Sequence, residues 1–287
     1  MTMRFLVIDG YSKVSRDEFD HHGVRLAGHM YEDLAKRNVA GAECDIWWSS
    51  DPGSEKAPDD AALGQYTALL WPGCNRTIYD DSDPVVAEHL DLAKRAYTLG
   101  IPQFGSCWAI QVAAVAAGGT CRKCPNGREM GFGLKIQLTA DGHTHPMMQG
   151  KPPVYHHMMS HDDEVHTLPE GSLVLSGNTW SPIQSAVFTH GKGSFWAVQY
   201  HPEYNLFDMA RLIEAREEKL IKAGYFVDHD DLMAYVEKLD ALVKVPDRKD
   251  LRWQLRIDED ILDDAIRECE FRNWVRHVLG VEVATEQ

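Results

Sequence analysis

The chain has 287 residues, 44% of them apolar, and a formal net charge of −15. That length suffices for one large α/β domain with an appendage, or for two small domains, and the apolar fraction supports a sizeable core. Lys and Arg are scattered among acids, which argues against a nucleic-acid partner, and no apolar run approaches the ~18–20 residues of a membrane span.

The opening stretch, MTMRFLVIDGY, carries no signal-peptide pattern. The six cysteines (Cys44, Cys74, Cys107, Cys121, Cys124, Cys269) form no regular framework, so reduced thiols and a cytoplasmic location are expected. Arg4–Asp9 reads as a strand, followed by a loop through His21-His22-Gly23. A helix is expected from about Val24 to Lys36, with Leu26, Met30, Leu34 and Ala35 on one face. Cys44–Ser49 reads as a second strand, Asp51–Asp60 as a surface loop, and Tyr66–Trp71 as a third strand ending at Pro72-Gly73. A helix over about Pro84–Thr98 and a further strand complete a βα alternation. This predicts a three-layer α/β fold, a mainly parallel sheet with helices on both faces. Ligands of such sheets bind beyond the carboxyl ends of the strands, where Gly73, Cys107 and His201 are all expected.

The chain is organised around Ile101–Gly118, IPQFGSCWAIQVAAVAAG. An apolar run passes through Gly105-Ser106-Cys107 into an Ala-rich helix, which puts Cys107 at the apex of a strand–helix elbow. There a thiol is held out of the sheet, and the helix N-terminus favours its thiolate. Downstream, SFWAVQYHPE reads as an alternating strand over Ser194–Glu203 that ends in His201-Pro202-Glu203. A cysteine nucleophile needs a base, and the base needs an orienting group; His201 and Glu203 fit those roles.

With both stretches in view, the chain resembles a class I (triad-type) glutamine amidotransferase. GSCWAIQ matches that family's G-x-C-x-G-x-Q elbow and is followed, about ninety residues later, by the H-P-E motif. Leu69–Asp81 resembles the oxyanion loop, Arg128-Glu129-Met130-Gly131 the turn after the nucleophile helix, and Met159-Ser160-His161-Asp162 the motif that helps hold glutamine. The resemblance covers residues 1–205 and is strongest to stand-alone GMP-synthase-amidotransferase-like proteins and γ-glutamyl amide hydrolases. It implies Cys107, His201 and Glu203 as catalytic residues, with no metal and no cofactor. Oxyanion donors are implied at the N–H of Gly73 or Cys74 and of Trp108, each worth on the order of 3 kcal/mol in the barrier. Substrate contacts are implied at Gln111, Ser160 and His161, the latter two through side chain or backbone. Ala109 stands where the family has Gly, and a small backbone adjustment is expected. The Trp108 side chain suits either a pocket wall or the core.

Cys121-Arg122-Lys123-Cys124 is a lone C-x-x-C, and the histidines of Asp141–His166 lack a metal-binding spacing, so a surface turn and a substrate motif are the expected readings. Residues 206–287 read as a helical extension, with amphipathic helices over Leu206–Ala223, Asp230–Leu242 and Asp258–Leu279. Its apolar stripe, which includes Trp253, Phe271 and Trp274, should pack on the domain or on a second subunit of a homo-oligomer. No synthetase pattern is read in it. The resemblance implies a small-molecule γ-glutamyl amide or glutamine as substrate. The expected activity is hydrolysis by the chain alone, through a γ-glutamyl thioester on Cys107 that releases glutamate and an amine or ammonia; ammonia delivery to a separate synthetase partner is the alternative. A non-catalytic binding role is the third alternative.

Overall fold

The computed structural model describes residues 3–51, 53 and 56–284. Its strands are β1 (Arg4–Asp9), β2 (Glu43–Trp48), β3 (Ala68–Trp71), β4 (Gln103–Ser106), β5 (Thr120–Lys123), β6 (Glu129–Leu138), β7 (Val154–His161), β8 (Asp163–Thr167), β9 (Ser172–Gly177), β10 (Ser185–His190) and β11 (Gly193–Val198). Nine form one sheet in the order β2-β1-β3-β4-β11-β10-β9-β6-β7, and β5 pairs with β8 beside it. Neighbours from β2 to β11 run parallel. From β11 to β7 they run antiparallel.

The short runs ALLW and QFGS are buried at every position. Helices cover both faces there, and strands in that setting are apolar throughout instead of alternating. Tyr31, Leu34 and Ala35 of the Ala27–Asn38 helix cover one face together with Phe271, Trp274 and Val275 of the Cys269–Val278 helix. Leu92, Ala93 and Tyr97 of Pro84–Leu99 cover the other, with Ile110, Val112 and Ala113 of Trp108–Ala116. This is the α/β layering expected from the sequence. The Pro84–Leu99 helix starts where Asp83 accepts the Val85 N–H and Pro84 takes the first position; Gly100, at φ 77°, ends it.

The C-terminal segment packs back onto the same molecule. Burial of Phe271, Trp274 and Val275 contributes on the order of 2 kcal/mol each. Beneath them Lys151 Nζ pairs with Glu270 Oε1 at 3.0 Å, both side chains fully buried, and the Tyr200 hydroxyl donates to the same carboxylate oxygen. A third core joins Leu206, Met209, Leu212 and Ile213 to Leu232, Val236 and Leu239, and reaches Tyr11 and Tyr204 near the carboxyl edge of the sheet.

Several expectations need correction. Lys13–His21, expected as loop, is a helix whose start Ser12 caps by accepting the Ser15 N–H. Phe19 is its buried apolar anchor, so it leaves little periodic signal. The strand expected to run to Glu203 stops at Val198, where its partner β4 gives way to the elbow. The helix expected over Leu206–Ala223 breaks at Arg216 into Leu206–Ala215 and Glu217–Lys222. Asp258–Leu279 is likewise three pieces, because the Asp263 side chain accepts the Ala265 N–H and caps a new start. Trp253 is 84% exposed and does not join the buried stripe. Of the expected Asp51–Asp60 loop, residues 52, 54 and 55 lie outside the described residues.

Candidate active site

Cys107 joins β4 to the Trp108–Ala116 helix with φ 53° and ψ −91°, a conformation L-residues avoid. Its N–H donates to Val198 O at 2.7 Å, which locks the apex to the end of β11. Close packing makes the elbow depend on glycine. A Cβ at Gly105 would fall 2.2 Å from Trp71 O and 2.5 Å from the Ala109 methyl. Ala109 is therefore accommodated because Gly105 gives way to it. The thiol is 5% exposed and donates to Ser160 O at 3.6 Å.

Beyond β11 the chain turns back, and His201 N–H bonds Met158 O on β7. His201 Nδ1 donates to Glu203 Oε1 at 2.7 Å, and Ser106 Oγ donates to the same oxygen at 2.9 Å. Carboxylate and hydroxyl thus fix the ring, with Nε2 left unpartnered toward the site. Tyr204 stacks on the imidazole with centroids 4.1 Å apart and planes within 6°. Burial alone would push the His201 pKa down; the charge of Glu203 and the adjacent Cys107 sulfur outweigh it and raise it to about 9.

Gly73 lies against both groups. A Cβ there would sit 2.8 Å from His201 Cε1 and 3.4 Å from Cys107 Cβ. Among the described residues, the N–H groups of Gly73, Cys74 and Trp108 have no backbone acceptor. That leaves them free for a developing oxyanion. Trp108's side chain belongs to the core: its Nε1–H donates to His89 Nδ1 at 3.0 Å, and His89 Nε2 bonds Ser49 Oγ at 2.8 Å. Burial holds that histidine neutral, its pKa lowered to about 3. Of the two settings open to Trp108, the core is the one found.

Cys107 opens into a cleft of about 430 Å³ bordered by Gln111, Ser160, Arg128, Arg216 and Lys219. Gln111 is buried with Oε1 lacking any partner. A buried amide oxygen left unpaired costs about 1–3 kcal/mol unless a ligand satisfies it. Ser160 Oγ accepts from Arg216. His161 differs from its neighbour: Nε2 bonds Glu129 Oε2 at 2.9 Å and Nδ1 bonds Asp163 O at 3.0 Å. Its ring is consumed by the fold, so a substrate can use only its main chain.

The family description "Glutamine amidotransferase class-I" matches residues 30–216. The chain belongs to the class I glutamine amidotransferase family. It is an enzyme of the C–N hydrolase type, as that family is. It is 28% identical over 283 residues to a γ-glutamyl-L-1-hydroxyisopropylamide hydrolase of Pseudomonas, covering 96% of this chain and 93% of that one. A GMP synthase of Leifsonia xyli is 29% identical over 161 residues, or 56% of this chain, and the chain spans only 30% of that protein's length. Among solved structures, a glutamine amidotransferase of Thermotoga maritima superimposes with TM-score 0.63 at 21% identity, covering 92% of this chain and 99% of that one. At that identity the likeness speaks for the fold.

Within this amidotransferase, sequence reasoning missed three residues at the site: Ser106, Tyr204 and Arg216. Ser106 and Tyr204 flank the two motifs and were readable as neighbours of named residues. Arg216 comes from a distant segment and carried no signal. Burial pushes the thiols of Cys44 and Cys121 up to about 12 and raises those of Cys74, Cys124 and Cys269. The C-x-x-C diverges: Cys121 bonds Gln111 O, whereas Cys124 bonds Trp180 O. The histidines of 143–166 disperse too, His156 to Arg256 O and His157 to Arg267 O. No helix among the described residues is long and apolar enough to cross a membrane.

Proposed function

We propose that this chain by itself hydrolyses the amide bond of an N-substituted γ-glutamyl amide, through a γ-glutamyl thioester on Cys107. The observation that carries this reading is the strained Cys107 beside a histidine held by Glu203, whose carboxylate Ser106 holds in turn. The Cys107 sulfur attacks the amide carbonyl after its proton passes to His201 Nε2. The oxyanion is met by the N–H of Trp108 and that of Gly73 or Cys74. As the tetrahedral centre collapses, the C–N bond breaks and His201 imidazolium protonates the departing amine. Water then enters, gives a proton to His201 and attacks the thioester, releasing glutamate and the thiol.

The end-to-end likeness to a γ-glutamyl amide hydrolase favours a free-standing enzyme and a substituted amide. The likeness to GMP synthases supports a second reading, a glutaminase subunit feeding ammonia to a separate synthetase. Six unpaired thiols suit a reducing compartment such as the cytoplasm.

The test is amine and ammonia release by the purified chain, with glutamine beside N-alkyl and N-aryl γ-glutamyl amides. Turnover of a substituted amide well above glutamine is expected. Slow turnover of every amide would overturn the free-standing reading in favour of the synthetase-fed one.

A further inference from the structure

We propose that Arg216, delivered by the break in the first extension helix, is the specificity residue that demands a free α-carboxylate on the γ-glutamyl substrate. The inference rests on the γ-glutamyl amide reading and names the group that recognises the far end of that substrate. Arg216 sits at φ −110° and ψ 17° between the Leu206–Ala215 and Glu217–Lys222 helices. Its guanidinium donates to Ser160 Oγ, while Ser160 O accepts from the Cys107 thiol at 3.6 Å. One residue therefore separates the nucleophile from the cation. An extended γ-glutamyl group spans about 5 Å from its γ-carbonyl carbon to its α-carboxyl carbon, given bonds of ~1.5 Å, so its two ends call for groups lining one cleft, as Cys107 and Arg216 do.

The other cations of the cleft are poorer candidates. Arg76 is paired with Asp83 and Arg128 with Asp162, and Lys123 and Lys219 are exposed. Among the described residues no carboxylate pairs with Arg216, which is half-buried. Its charge partly offsets the burial that raises the hydroxyls of Tyr11 and Tyr204, so it lies within electrostatic range of two buried aromatic side chains. A planar fork in such surroundings takes a carboxylate through two parallel hydrogen bonds. Gln111 Oε1, buried and unpartnered on the same cleft, offers an acceptor for the neighbouring α-ammonium.

The experiment compares L-glutamine with L-glutaminamide, whose α-carboxylate is replaced by a neutral amide, in the wild-type chain and in Arg216→Gln and Arg216→Lys. The best N-substituted γ-glutamyl amide would be run beside them. Arg216→Gln should lose about 100-fold in kcat/KM on the free acids, mainly through KM, and under about 3-fold on glutaminamide; Arg216→Lys should recover part of the loss. Equal losses on both substrates, or none on either, would overturn the assignment. Protection of Cys107 from iodoacetamide by L-glutamate, but not by 4-aminobutyrate, reads the same contact without turnover. That protection should vanish in Arg216→Gln while melting temperature and ligand-free alkylation rate stay unchanged. If the wild type hydrolysed no γ-glutamyl amide yet kept this Arg216-dependent protection, the carboxylate site would stand and the hydrolase reading would fall. Protection equal in wild type and Arg216→Gln, or absent from both, would sink the site.

Discussion

Glu203→Gln is the substitution whose consequence is most directly worked out from the site. It preserves shape and one acceptor toward His201 Nδ1, and it removes the charge 2.7 Å from that nitrogen. The rise of the His201 pKa from 6.5 to about 9 corresponds to about 3 kcal/mol in favour of the imidazolium, against a burial effect of the opposite sign. Because the folded protein favours the charged ring, the associated stability is fully present below pH 6.5 and is lost as pH rises through about 9. In the proposed mechanism catalysis follows the same limb, since the imidazolium is the acid that protonates the leaving amine. In the wild type, kcat/KM should hold to near pH 9 and then fall. Without the carboxylate, burial prevails and the limb should move to about pH 7 or below, with a loss of at least about 10-fold at pH 8. Amine release measured between about pH 5 and 10.5 on both proteins reads the limb. An alkaline limb that stays near 9 in Glu203→Gln would refute the assignment of that charge as the cause.

Three further outcomes are expected. Cys107→Ala should abolish turnover with the fold intact, and Cys107→Gly should melt higher than Cys107→Ala by about 1 kcal/mol, because glycine tolerates φ 53°; equal melting would show that the elbow is not strained. Gly73→Ala should drive a methyl into His201 Cε1 and cost about 100-fold in kcat with little change in KM, checked by steady-state kinetics. Lys151→Met leaves the Glu270 carboxylate buried without its cation and should cost about 3–5 kcal/mol in denaturant unfolding, much of it restored by Lys151→Met with Glu270→Gln.

The parallel half of the sheet was readable because its strands carry unbroken apolar runs and its helices carry 3.6-residue periodicity. Pro84–Leu99 is the clearest case, bounded by Asp83, Pro84 and Gly100. Cys107 and His201 were legible for a related reason: each lies at an abrupt end of such a run. The order of the antiparallel wing β10-β9-β6-β7 was not legible, because the β6–β9 pairing that attaches β6 and β7 joins segments about forty residues apart and leaves no local mark. His161 shows the same limit within the site. Its place in a recognised motif drew attention to its ring, while the partners that consume that ring, Glu129 and the Asp163 carbonyl, are properties of the folded sheet. Arg216 was hidden by its setting, a cation in a helix already rich in Glu, Lys and Arg.

The residues proposed for bond breaking and those proposed for recognition come from different parts of the chain, and this has a physical consequence. Cys107, His201 and Glu203 sit on the carboxyl ends of β4 and β11, which are paired strands locked by the Cys107 N–H to Val198 O bond. Their geometry is fixed by buried backbone and by glycines at 73 and 105 that admit no side chain. Ser160 arrives instead from the end of β7, Gln111 from one turn into the nucleophile helix, and Arg216 from a helix break in the extension. A change at the break can therefore reposition the cation without disturbing the ladder that holds the thiol and the imidazole. On the proposed assignment, substrate choice in this chain is set where the extension meets the antiparallel wing, and the strand edge supplies the same chemistry to whatever γ-amide that junction admits.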